Sequence, residues 1–359
     1  MRTGPDMDFT PTEEQSEAAA LASRILADLA TPERLAATGT GCDNELWKAL
    51  CSAGLPAAAE ESGLVGLVLL LEEQGRTTAQ VPLAASCVYG LWALGEHGSA
   101  DQRARLLPAL RTGTAVATGA FPARGEIRAT RAPDGGLCGV LPLVPWLRGA
   151  THVLVPDADR RLWLVATGAP GVQVRAVQTT APWSAGRLRL DGARAEPVGG
   201  PGSSAYEQVL QAARTAFAGL AAGVCAGSLA RAVSHTATRE QFGKPLAANQ
   251  AVRLRAADAH MDTEAIRVTT YEAAWRIDAG LDARTAALTA AWWAAEAGLR
   301  VVLTGQHLHG GAGADLEHPV HRHFLWGRQL AGYLGCASEL LAELGELITG
   351  ADMDGKVAG

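Results

Sequence analysis

The stretch Thr238–Gln250, TREQFGKPLAANQ, interrupts an otherwise helical text and decides how the second half of the chain is read. Ala-rich helical periodicity runs up to it from Ala205 and resumes after it, so the segment ends one long helix, turns at Gly243 and Pro245, and starts another. Such a turn offers the guanidinium of Arg239 and the first N–H groups of the new helix to an anion, above all a phosphate. An ordinary αα-hairpin carrying a surface arginine satisfies the same local physics. About 65 residues on lies a glycine cluster, Gln306–Gly313, QHLHGGAG. Paired glycines let a backbone approach a ligand closely because no Cβ intervenes. No Gly-Lys-Ser/Thr follows, which excludes a Walker loop, and no strand precedes, which excludes a dinucleotide fingerprint.

Outward from these two stretches the chain divides into three. From Glu13 to about Thr114, apolar residues recur at helical spacing (Ala18, Leu21, Ile25, Leu26, Leu29), predicting four or five helices, the first beginning at Pro11-Thr12 ahead of Glu13 and Glu14. Residues 115–204 carry short β-type runs at Thr151–Val155, Leu162–Ala166, Val172–Ala176 and Leu188–Leu190, then a linker, Val198–Ser204. Residues 205–359 return to helical text in which small side chains permit close approach in a bundle, and the final ADMDGKVAG reads as a frayed tail. The expected fold is α+β, with units at 1–114, 115–204 and 205–359.

Composition narrows the function classes. The 359 residues are 48% hydrophobic and 19% charged, which excludes a disordered chain. A net charge of −6 and the lack of a dense Lys/Arg run argue against nucleic acid. Mean hydropathy is +0.07, and Leu64–Leu71, taken as the longest apolar stretch, is too short for a bilayer, so no membrane association is expected. The opening residues lack a secretory h-region, and a cytoplasmic location is expected. Cys42, Cys51, Cys87, Cys138, Cys225 and Cys336 are scattered without a CxxC pair and read as small buried hydrophobes, not as a disulfide framework or zinc site. Five histidines, His307, His309, His318, His321 and His323, crowd together. HPVHRH is no established zinc pattern, so no metal is expected, and the imidazoles read as hydrogen-bonding groups at an interface or beside a bound anion. Glu207, Glu264, Glu317 and Glu346 read as solvated helix faces, and no nucleophile elbow or catalytic carboxylate pair is present.

The order helical domain, β domain, helical bundle, with RxQFGxP ahead of HGGxG, resembles the acyl-CoA dehydrogenase family over essentially the whole chain, in which the last unit is a four-helix bundle. The resemblance implies that Arg239, Gln241, Phe242 and Gly243, together with His307, Gly310 and Gly311, contact the pyrophosphate and adenosine of an FAD held mainly by a neighbouring chain. Gly313 completes the glycine element.

Three departures from the family pattern stand out. The Gln usually found three residues before the paired glycines is His307. The Glu-Pro-Gly-x-Gly-Ser-Asp and Trp-Ile-Thr/Ser elements of the flavin cradle correspond to GAFPARGEIRA (119–129) and PLVPWLRGA (142–150), leaving Trp146 as a displaced remnant. The catalytic base, a Glu that takes the α-proton of a CoA thioester, falls on Leu334 in Tyr333-Leu334-Gly335-Cys336 or, at the family's other location, on Ala213. Neither hydrocarbon accepts a proton. The catalytic residue of this chain is therefore unknown from sequence.

This pattern is similar to the shorter chain of actinobacterial α2β2 acyl-CoA dehydrogenases acting on steroid side-chain thioesters, which share HxHGGxGxDxxxPxHR, here His307 through Arg322. The resemblance implies a heterotetramer acting on an acyl-CoA thioester, in which this chain shares FAD with a partner that supplies the base. A repurposed enzyme of secondary metabolism on the same scaffold, and a non-catalytic structural subunit, are the alternatives.

Overall fold

A computed structural model describes residues 7–121, 129–133, 135–316 and 318–355, the last five as backbone. The chain opens with α1 (Glu13–Leu29), α2 (Pro32–Thr38), α3 (Asn44–Ser52), α4 (Leu55–Glu61), α5 (Gly63–Thr77) and α6 (Leu83–Ser86). A π-turn at Cys87–Trp92, α7 (Ala93–His97) and α8 (Ala100–Arg111) complete the first region. Helix α1 starts where Pro11-Thr12 predicts. Thr12 Oγ1 accepts from Gln15 N–H at 3.2 Å while Gln15 Oε1 accepts from Thr12 N–H at 3.0 Å, a reciprocal capping box. The region holds more helices than the four or five expected, because Pro32, Gly54-Leu55-Pro56 and Ser62-Gly63 each break a segment that hydrophobic periodicity alone reads as continuous.

The β region consists of two four-stranded sheets among the described residues. One runs β1 (Ala117–Gly119), β4 (His152–Pro156), β5 (Leu162–Ala166), β8 (Glu196–Val198). The other runs β2 (Thr130–Arg131), β3 (Leu137–Val144), β7 (Gly186–Ala193), β6 (Val172–Ala176). Four of these strands, β1, β2, β3 and β8, go beyond the sequence reading. Strand β3 carries a glycine and a proline, and two of its residue pairings with β7 are offset, so its alternation is broken. Strand β7 alternates cleanly, Leu188 and Leu190 inward and Arg187 and Arg189 outward. Strand β5 is buried on both faces, because Trp163 and Val165 pack against the second sheet while Leu162 and Leu164 join the helical core.

Val198, read from sequence as the start of the linker, is the buried last residue of β8, paired with Leu162; after the turn at Gly199–Ser204 comes α9 (Ala205–Thr238), then α10 (Gln250–Asp278), α11 (Arg284–Leu308), α12 (Pro319–Leu330) and α13 (Ala337–Gly355). Helix α9 is long and apolar enough to cross a membrane by length and composition, which the focus on Leu64–Leu71 overlooked, and most of its apolar window is buried. Gly219, Gly223 and Gly227 form a small-residue ridge on which α5 lies. A Cβ on Gly223 would collide with the Glu72 carbonyl, and one on Gly227 with that of Arg76. Asp278, the last residue of α10, accepts from the N–H groups of Leu64 (2.8 Å) and Val65 (3.0 Å) and so caps α5. The first helical region and the bundle thus share one core. Helix α13 continues to Gly355, correcting the frayed-tail reading from Ala351; residues 356–359 lie outside the described residues.

Candidate functional site

Helix α9 ends at Thr238, and the backbone then forms a two-residue hairpin, β9 (Glu240–Gln241) against β10 (Lys244–Pro245). The turn is at Phe242 and Gly243, not at Gly243 and Pro245, since both central residues are left-handed (φ 54° and 74°) and Pro245 lies in the strand. Glycine at 243 takes this conformation without strain. Phe242 does not, and its ring is 99% exposed. Arg239 and Gln241 are exposed as well, and no described carboxylate pairs with the Arg239 guanidinium. Asn249 caps α10 by accepting from Ala251 N–H at 3.0 Å.

The glycine segment follows α11 as a short 3₁₀ turn, Gly310–Ala314. Gly310 is left-handed (φ 60°), and open space lies where a Cβ on Gly310 or Gly311 would stand. Gly313 is packed on the Gln306 carbonyl, and Gln306 Nε2 donates to Gly313 O at 3.0 Å, which pins the segment. His307 is exposed beside it. Both motifs lie at one end of the bundle. The link is a ring stack between His235, in the last turn of α9, and His309, next to Gly310, with centroids 4.6 Å apart. His318, the N-cap of α12, packs edge-on to His309 at 4.9 Å. Sequence reading singled out His309 and His318 but missed His235, which lies far from them in the chain.

The other two clustered histidines act differently. His323 is buried, Nε2 facing Arg76 O at 3.0 Å, and burial lowers its pKa to about 4. His321 is buried on α12. No group of three or more His, Cys, Asp or Glu among the described residues is arranged to hold a metal ion. Of the cysteines, Cys51, Cys87 and Cys225 are buried, but Cys42 and Cys138 are partly exposed and Cys336 is exposed, so the buried-hydrophobe reading holds for three of six.

Leu334 and Ala213 are both buried. Leu334 lines a cavity of about 410 Å³ with Tyr206, Leu210, Arg214, Leu288, Leu340 and Glu343. Arg214, 8% exposed, makes a two-pronged bond to Glu343 at 2.9 and 2.7 Å. Sequence patterning hid this pair, because 129 residues separate its members and each has the spacing of a helix-face residue. Glu207 and Glu264 are less free than expected, paired with Arg160 and Arg267, and Glu317 lies outside the described residues. Beside the cavity, aromatic rings fill the space between the β region and the bundle. Trp146, left-handed at φ 58°, stacks on Trp183 (6.0 Å), which meets Trp326 (5.5 Å) and Tyr333 (6.1 Å) edge-on. Tyr333 shares a 3.0 Å hydroxyl hydrogen bond with Tyr89. Of the GAFPARGEIRA stretch, residues 122–128 lie outside the described residues, and Phe121 stacks between Tyr89 and Tyr206.

Comparison with known proteins bears on this arrangement. Residues 12–114 match the acyl-CoA dehydrogenase N-terminal domain and residues 200–344 the acyl-CoA dehydrogenase C-terminal domain, two spans flanking the β region. Acyl-CoA dehydrogenase FadE27 of Mycobacterium tuberculosis is 36% identical over 94% of this chain and 98% of its own. The chain belongs to the acyl-CoA dehydrogenase family. Among solved acyl-CoA dehydrogenases, a variant of the steroid ACAD Tcur3481-Tcur3483 superposes with a TM-score of 0.90 at 40% identity, covering 95% of this chain and 99% of that one. The ChsE4-ChsE5 complex from Mycobacterium tuberculosis gives 0.88 at 33%, with the same coverage. Butyryl-CoA dehydrogenase from Megasphaera elsdenii, at 23% identity and 0.84, shares the acyl-CoA dehydrogenase fold.

Proposed function

We propose that this chain is one subunit of an FAD-dependent acyl-CoA dehydrogenase, a heteromer that desaturates a CoA thioester, to which it contributes the pyrophosphate and adenosine side of the flavin site. The observation that carries the reading is the convergence of the Arg239–Gly243 hairpin and the Gly310–Gly311 segment at one exposed end of the bundle, joined by the His235–His309 stack. An unpaired exposed guanidinium, an exposed phenylalanine and an open glycine backbone suit a phosphate-bearing, aromatic group presented by another molecule. The flavin, when bound, would accept the hydride from the thioester. In this role Arg239 neutralises pyrophosphate charge, Gly310 and Gly311 admit the backbone close to the adenosine half, and Gln241, Phe242, Gly243 and His307 complete the surface.

The interior supports a division of labour. Trp146, in the stretch that corresponds to one cradle element of the family, packs on Trp183 in a cluster with Trp326 and Tyr333, and Leu334 and Ala213 offer no proton acceptor. A partner chain then supplies the base and the rest of the flavin site, in keeping with the two-component names of the similar complexes. The steroid designation of one of them makes a steroid side-chain thioester the substrate class to test first. We assign the three units to 1–114, 115–204 and 205–359.

The test is co-expression with a second acyl-CoA dehydrogenase-like chain, followed by flavin stoichiometry. One FAD per heterodimer and a colourless chain when purified alone are expected. Stoichiometric flavin on the isolated chain overturns the shared-site reading and favours a homomeric enzyme, for which Glu343, beside Leu334 in the cavity, is the carboxylate to examine as base.

A further inference from the structure

Beside the motif residues lies an open surface depression of about 430 Å³, lined by Ala230, Arg231, Ser234, His235, His309, His318 and Pro319. Its polar lining is one guanidinium, one hydroxyl and three imidazoles. No described carboxylate lines it. Arg231 is half-buried, and no ion pair or hydrogen bond engages its side chain among the described residues; burial alone pulls its pKa down. A cation withdrawn from water without a counter-ion is costly, and such a position is kept at low energy when an anion comes to it.

We propose that Arg231, Ser234, His235, His309 and His318 form a phosphate-binding site whose affinity for a dianion rises as His235 takes up a proton. His309 Nδ1 lies 2.7 Å from Gly305 O and donates to it, which fixes the ring beside His235. His318 Nδ1 accepts from Val320 N–H at 3.2 Å, so its Nε2 carries a hydrogen available to a ligand. The pocket also sits at the N-terminal end of α12, whose dipole favours negative charge there.

The proton coupling follows from the neighbouring charges on every packed element. Burial, then His309 and Arg239, hold the His235 imidazole below the usual range. Burial, then His309, His235 and Arg231, do the same to His318, and Asp315 opposes them. Burial is the larger cause and neighbouring cations the smaller, and a dianion beside His235 offsets both. Binding therefore favours the protonated His235, and by linkage an anion of fixed charge binds more tightly as pH falls. A phosphate ester of a flavin, a CoA thioester and free phosphate share this chemistry. The site adjoins the flavin surface through His235 and His309, and phosphate binding by the isolated chain tests it apart from the flavin assignment.

The experiment is calorimetric titration of the full chain with inorganic phosphate, ADP and CoA, and with sulfate as a dianion that takes up no proton itself, at about pH 6 and about pH 8, in two buffers of different ionisation enthalpy. Sulfate binding at least about 10-fold tighter at the lower pH, with net proton uptake, is expected, and Arg231→Gln should weaken phosphate and sulfate binding roughly 10- to 150-fold. His235→Asn, with folding checked by circular dichroism, provides the second variant and should flatten the pH dependence. Flavin retention by the co-expressed Arg231→Gln complex then separates the sources. Lost flavin identifies the flavin phosphate, weakened CoA binding with flavin retained identifies the thioester, and loss of inorganic phosphate binding alone identifies the free ion. Absence of binding to all four ligands, or sulfate binding indifferent to pH and to both substitutions, overturns the proposal.

Discussion

The imidazole of His235 stacks on that of His309 at 4.6 Å and 22°, where α9 and α11, packed together as at Gly305 on Ser228, end with their motifs at one end of the bundle. Neither histidine belongs to the seven residues assigned to the cofactor, yet the stack lies between the two motifs.

Arg239 is exposed at the α9 terminus, and its proposed charge-assisted contact to pyrophosphate is worth about 1.5–3 kcal/mol. Arg239→Ala should weaken FAD affinity of the assembled heteromer by roughly 10- to 150-fold with little change in Tm. Equilibrium dialysis of the reconstituted complex measures this, and unaltered retention assigns Arg239 to an idle surface.

Restoring a carboxylate by Leu334→Glu should not create dehydrogenase activity in the isolated chain. The position is 8% exposed and its cavity already holds the Arg214–Glu343 pair, so the new acid is costly to ionise, and the hydride acceptor is still missing. A dye-coupled assay with a panel of acyl-CoA thioesters and added FAD decides the matter; robust turnover means that only the base had been lost.

Glu343→Gln leaves the nearly buried Arg214 without its carboxylate. Since Glu343 is partly exposed, a loss of about 1–3 kcal/mol in folding stability is expected, less than for a fully buried pair. Urea denaturation measures it, and an unchanged midpoint would show that solvent already screens the pair.

His323 should make the fold acid-sensitive. Its folded pKa of about 4 lies below the value near 6.5 of the unfolded chain, so the unfolded state binds more protons between the two. Stability is then complete above about pH 6.5 and falls as pH drops toward 4, by up to about 3 kcal/mol from this group. Denaturation midpoints followed across that window in the wild type and in His323→Gln test the assignment, the variant showing a shallower slope.

The sequence determined what depends on neighbours along the chain. The Thr12 cap, the long bundle helices, the turn after Val198 and the two motifs are local patterns, and residues a few positions apart carry them. The tertiary structure decided whatever needs two distant segments to meet. Strand β5 is apolar on both faces because a sheet covers one and helices the other, a fact no alternation can encode. Arg214 and Glu343, like Arg231 and His235, are ordinary helix residues until packing removes water and brings charge against charge. Motif chemistry is written in spacing, whereas electrostatics is set by desolvation and distance, and those exist only in the folded chain.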